Sequence, residues 1–156
     1  MKRKGGGSYH TLSFECSFKN DDDEVYMAHC YPYTYSDCCE LLQRLCTNET
    51  KDKIRKTVLT KTLAGNDCEM VIITNFLSRP EEIALRRAVI LTSRVHPGES
   101  NASYLMHGTL EYLVSDDEGA RYLRDNFVFK VIPMLNPDGV IVGNYRCSLS
   151  GLDLNR

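Results

Sequence analysis

Ala88-Val-Ile-Leu-Thr-Ser93 runs straight into Arg94-Val-His-Pro-Gly-Glu99, and the reading of this stretch decides the rest of the chain. Its first half is a near-continuous apolar run of the kind found in strands buried on both faces. Its second half breaks that run. His96 precedes a proline, which holds its backbone extended, Gly98 lets the chain turn, and Glu99 opens the following helix. Open α/β sheets bind ligands at the carboxyl ends of their strands, so His96 and Glu99 stand where a site belongs. A neutral imidazole and a carboxylate at this reach are a plausible half of a His2Glu catalytic zinc centre, whose open position carries water. With four His and ten Glu in 156 residues, an H-x-x-E arises by chance in about one such chain in four. A surface histidine next to a helix-first-turn glutamate is the alternative.

Downstream of Glu99 the period shifts to 3.6. Ala102, Leu105, Met106, Thr109, Leu110 and Leu113 form an apolar stripe, with Ser100, Ser103, His107 and Glu111 opposite. Ser115 with Glu118 caps a second short helix to about Asn126, and Phe127-Val-Phe-Lys-Val-Ile132 returns to strand. Upstream, Arg55 to Thr62 and Glu69 to Phe76 read as strands around the Ala64–Asp67 turn. Asp37 with Glu40 gives a capping box for an amphipathic helix through Cys38, Leu41, Leu42, Leu45 and Cys46. Residues 9–33 alternate polar and apolar on either side of Lys19–Asp23, the pattern of an antiparallel hairpin with one wet face. Strand, helix, strand around a central buried strand indicates an α/β sheet, and the change of character near residue 36 marks a domain boundary.

Composition narrows the function. The chain is 42% apolar and 26% charged with net charge −2, so disordered, collagen-like and nucleic-acid-binding readings lose support. No apolar h-region follows the basic start and no run approaches the roughly 20 residues of a membrane helix, which points to a cytosolic, non-membrane protein. Seven cysteines without a Cys-x-x-Cys pair suit reduced thiols better than a disulfide framework or a thiolate zinc site.

A third zinc ligand is harder to find. His107 lies eight residues past Glu99 on one helix, about 12 Å away at about 1.5 Å per residue, too far for zinc bonds of about 2 Å. His10 and His29 fall in the first unit, and no cysteine arrangement substitutes.

Four ordered motifs, His96-Pro-Gly-Glu99, Asn136-Pro-Asp-Gly139, Gly143-Asn-Tyr-Arg146 and Gly151-Leu-Asp-Leu-Asn-Arg156, resemble the M14 metallocarboxypeptidase family. Tyr31-Pro-Tyr-Thr-Tyr-Ser36 narrows the resemblance to its cytosolic carboxypeptidase branch. The resemblance implies an α/β fold: a mixed-sheet zinc carboxypeptidase domain, truncated, over residues 37–156. Residues 1–36 would be the C-terminal part of a preceding antiparallel β-sandwich domain. It also implies one Zn2+ per catalytic site with His96 and Glu99 as its first two ligands. Arg146 would polarise the scissile carbonyl, and Asn155 with Arg156 would hold the substrate's terminal carboxylate. Asn136–Gly139 reads as a structural turn rather than a catalytic one. In the family pattern the third ligand, a histidine, and the general-base glutamate follow the Asn-Arg pair, so the chain is expected to be an inactive fragment. The implied substrates are the glutamates of polyglutamylated tubulin or of other acidic tails, in the cytoplasm and on microtubules. A zinc-dependent acylamino-acid amidohydrolase and a non-catalytic interaction module are the alternatives.

Overall fold

The structure is a computed structural model that describes residues 11–156. Helix α1 spans Tyr35–Leu45 and buries Cys38, Leu41, Leu42 and Leu45, the positions its spacing marks as one face. Its cap lies one turn earlier than the sequence suggests. Thr34 Oγ1 accepts from the Asp37 backbone at 3.1 Å, and Asp37 Oδ2 accepts from the Thr34 backbone at 2.6 Å. Both Thr34-x-x-Asp37 and Asp37-x-x-Glu40 fit a capping box. The first wins because Tyr33, just before the cap, then shares the core with Cys38, four residues past it, as a hydrophobic staple.

The remaining elements are β1 (Ile54–Lys61), β2 (Asp67–Ile73), α2 (Pro80–Leu85), β3 (Arg87–Thr92), α3 (Ser100–Val114), α4 (Glu118–Asn126), β4 (Phe127–Ile132) and α5 (Pro137–Ile141). They build a mixed sheet of order β1-β2-β4-β3 in which only β3 and β4 run parallel. The parallel pair is joined through α3 and α4, the crossover that parallel strands require. Helices α1 and α3 cover one face, where Leu42, Leu110, Ile73 and Val131 close the core.

Four further expectations change. The run Ala88–Ser93 does not become a central strand: β3 is at the edge of the sheet and Ile90 is 66% exposed. An apolar run reports which residues avoid water, not which neighbour covers them; among the described residues β2 and β4 take the centre. On α3 the buried face runs through Ser100, Ser103, Met106, Leu110 and Leu113, whereas Leu105 is exposed. The helix is turned toward its serines because Ser103 Oγ accepts from the buried Arg94 at 2.7 Å. Helix α4 is capped by Asp117, which accepts from Gly119 N at 2.8 Å, while Ser115 ends α3. Finally, residues 11–33 turn at Asp21–Asp22 but form no ladder, and Leu12, Phe14 and Phe18 are exposed. A two-stranded ribbon without a surface to pack on is marginal in water. Residues 9 and 10 of that hairpin lie outside the described residues.

All seven cysteines are free. Burial pushes the Cys38 thiol up to about 12. Among the described residues no helix is long and apolar enough to cross a membrane.

Pairing continues past the formal ends of the parallel strands. Ser93 N donates to Ile132 O at 3.1 Å, and Leu135 N to Ser93 O at 2.9 Å. The loops after β3 and β4 therefore leave the sheet side by side.

Candidate metal and substrate site

The loop after β3 carries His96 and Glu99, and the loop after β4 forms its floor. Asn136 caps α5 by accepting from Gly139 N at 3.0 Å, and its Nδ2 donates to Val95 O at 3.2 Å, just before His96. A side chain at Gly139 would collide with the ring of Pro97 and with the backbone carbonyl of Cys147. Asp138 faces the other way. Its buried carboxylate accepts from Thr62 Oγ1 at 2.6 Å, Asn66 Nδ2 at 2.9 Å and Ala64 N at 3.0 Å, all at the β1–β2 turn. Burial pushes its pKa up, but these three bonds outweigh burial and hold the carboxyl below its ordinary range. Asn136–Gly139 is thus a structural platform that ties the hairpin to the site loop.

The opposite side is closed by residues 143–146. Gly98 N donates to Tyr145 O at 2.7 Å, and a Cβ at Gly98 would strike the Tyr145 ring.

On this footing His96 Nδ1 and Glu99 Oε1 stand 3.1 Å apart. Two ligand atoms bound tetrahedrally at about 2 Å from one zinc ion are about 3.3 Å apart, so the pair fits one edge of such a site. His96 is buried and its second nitrogen, Nε2, lies 3.1 Å from Asp153 Oδ1. A carboxylate on the far nitrogen of a ligand histidine fixes the ring and its tautomer, leaving Nδ1 as the metal-facing atom. Among the described residues no group of three His, Cys, Asp or Glu side chains is arranged to hold a metal ion. The described chain therefore supplies two donors.

Asp153 also binds Arg146, whose Nε donates to Oδ2 at 2.7 Å, and accepts from the Asn155 backbone at 2.9 Å. The Asn155 N–H lowers its pKa most, with His96 and Arg146 adding to it, and the carboxyl is held down to about 2. Of the sequence-predicted residues, the structure joins His96, Glu99 and Arg146 into one cluster and brings in the backbone of Asn155. The side chains of Asn155 and Arg156 are exposed, and the Arg156 guanidinium donates to the adjacent Asn155 carbonyl at 2.8 Å. The residue that links the cluster, Asp153, lies inside the Gly151–Arg156 string, but a loop has no periodicity from which its role could be read. His107, expected to be merely solvated, is half-buried and hydrogen-bonds the Tyr33 hydroxyl at 3.1 Å.

A cavity of about 310 Å3 lies behind this cluster, between Leu59, Leu63, Leu135 and Leu154. It contains neither His96 nor Glu99, and the carboxylate in its lining, Asp138, is taken up by Thr62, Asn66 and Ala64.

Comparison with known proteins gives a family and a fold likeness. Residues 39–156 match the family described as zinc carboxypeptidase (peptidase M14). The chain is 49% identical to cytosolic carboxypeptidase 2 of Xenopus tropicalis and 50% identical to human cytosolic carboxypeptidase 1, each over 97% of its length. It spans only 16% and 13% of those two proteins. Among solved structures, a metallo-carboxypeptidase from Burkholderia cenocepacia superposes with a TM-score of 0.70 at 28% identity, covering 80% of this chain and 32% of that one.

Proposed function

This chain belongs to the zinc carboxypeptidase family, and from that premise we propose that it carries part of the active site of a zinc-dependent carboxypeptidase that removes C-terminal glutamates from acidic protein tails. Tubulin is the proposed substrate, in the cytosol and on microtubules; no nucleic acid or membrane is involved. The observation that carries the reading is the His96 Nδ1–Glu99 Oε1 pair with Asp153 behind it. The glutamate preference rests on the resemblance of the Tyr31–Ser36 string to the cytosolic carboxypeptidase branch, a branch whose name the relatives carry.

His96 and Glu99 would hold the zinc. When bound, zinc supplies carbonyl polarisation and a water acidic enough to attack near neutral pH. Asp153 keeps His96 in the tautomer that presents Nδ1. It also holds Arg146 by Nε, leaving the terminal nitrogens for the oxygen on which charge develops. Arg156 leaves its contact with the Asn155 carbonyl to grip the substrate's terminal carboxylate, for which its planar fork is suited, and the Asn155 side chain assists. The third ligand and the general base are assigned outside the described residues. Of the first segment, residues 11–32 are assigned to the end of a preceding β-sandwich unit, whereas Tyr33 in the core and Thr34, which caps α1, belong with the α/β sheet.

The full protein is expected to release glutamate from a glutamate-terminated tubulin peptide and to leave an N-acyl amino acid intact. His96→Ala and Glu99→Ala should each remove bound zinc, read by metal analysis, and cost at least the ~100-fold in activity that the loss of a supporting residue alone can cost. Hydrolysis that survives both substitutions or a chelator would overturn the reading. The 156-residue chain alone, with two ligands facing the metal, should bind zinc weakly and release no glutamate.

A further inference from the structure

Arg94 stands two residues before His96 with φ of +59°, a left-handed backbone that favours glycine. The sequence places a long cation there instead, and the fold buries it to 5% exposure. No carboxylate pairs with it among the described residues. Its Nε donates to Pro97 O at 2.8 Å, and its Nη1 donates to Tyr33 O at 3.0 Å and to Ser103 Oγ at 2.7 Å. One guanidinium thereby holds the middle of the His96–Glu99 turn, the chain entering α1 and the first turns of α3.

We propose that Arg94 is a positioning residue of the metal site: its guanidinium sets the plane of the Pro97–Gly98 peptide and through it the separation of His96 Nδ1 and Glu99 Oε1. The inference rests on the zinc reading of that pair. A buried, unpaired cation is costly, and its hydrogen bonds to carbonyl oxygens compensate only while all three segments stay in place. The turn is therefore registered to α3 and to Tyr33 rather than left to its own flexibility. The backbone twist alone does not account for the residue, because glycine would adopt it with less strain.

Zinc affinity of the full protein, measured by competition with a chromophoric chelator, tests this, with kcat and KM for a glutamate-terminated peptide determined separately. Arg94→Ala and Arg94→Gly should weaken zinc binding by about 10–100-fold, the range for residues that support metal ligands. They should lower kcat more than they raise KM. Arg94→Lys should recover part of both, since an ammonium keeps the charge and reaches fewer acceptors. Unchanged zinc affinity in Arg94→Gly would overturn the proposal. If Arg94→Ala does not fold, Lys against Gly still decides: higher zinc affinity for Lys supports it, and equal affinity overturns it. A wild-type protein whose zinc binding depends on Arg94 but that cleaves no peptide would refute the carboxypeptidase reading alone. An active enzyme indifferent to Arg94 would refute only the positioning role.

Discussion

Residues 94–99 and residues 11–33 are both irregular backbone flanking regular elements, yet their surroundings could hardly differ more. The first segment is held from three sides: Arg94 from within, Asn136 and Gly139 from below, Tyr145 and Asp153 from across the site. The second has its apolar side chains in water until Cys30, whose Sγ lies 3.0 Å from Ser100 Oγ, and Pro32, whose carbonyl accepts from Tyr104 at 2.9 Å. A loop becomes a site when distant segments over-determine it. Alternating residues become a ladder only when a surface is present to receive their apolar face.

Substitutions can break that contrast. The largest effect is expected at Gly139, where a methyl group meets Pro97 and a backbone carbonyl that has little room to move. Gly139→Ala should cost about 3 kcal/mol in a urea melt, the upper end for overpacking, and weaken zinc binding with it. A neutral result would mean that the platform under His96 is soft. Next comes Asp138→Ala, which strands three donors and should cost about 2 kcal/mol at neutral pH. Its pKa is depressed in the folded state, so its contribution is present above the unfolded value and is lost as pH falls through the folded one. The gap between wild type and Asp138→Ala should therefore narrow below about pH 4. A gap independent of pH down to complete protonation would show that the ionised carboxylate is not what matters.

Gly98→Ala should be milder, about 1 kcal/mol, although its clash is with the same loop. The Tyr145 ring it meets is 63% exposed, so a turn about the Cα–Cβ bond, which also carries the crowded Cγ away, has solvent to move into. Zinc affinity should fall less than in Gly139→Ala; the reverse order would place the critical support above the loop instead of beneath it. The smallest effect belongs to the other region. Phe14→Ser, at a 64% exposed position, should change the stability of residues 33–156 by no more than about 0.5 kcal/mol. A large loss would reveal a packing partner for the first segment and erase the contrast.

The sequence is informative where local chemistry and local structure coincide. His96 and Glu99 can be named because proline, glycine and strand end all act within a few residues. The order of strands and helices follows from periodicity, although the short helices at Pro80–Leu85 and Pro137–Ile141 give too few turns to show one. What depends on distant partners is not visible. Nothing in Ala88–Ser93 distinguishes a central strand from an edge strand. Ser103 looks solvent-facing until Arg94 reaches it, and Asp153 gains its role only when His96 and Arg146 arrive from two other loops.

That shared carboxylate has a thermodynamic consequence. Asp153 hydrogen-bonds a group assigned to the metal through Oδ1 and pairs with a group assigned to the substrate carbonyl through Oδ2. One carboxylate thus lies between the two proposed roles, a place where a change at His96 and a change at Arg146 would be felt by the same side chain. By linkage, any factor by which a bound metal changed substrate affinity would be the factor by which substrate changed metal affinity. On the proposed reading, a metal titration of the full protein would then also report on its readiness for substrate.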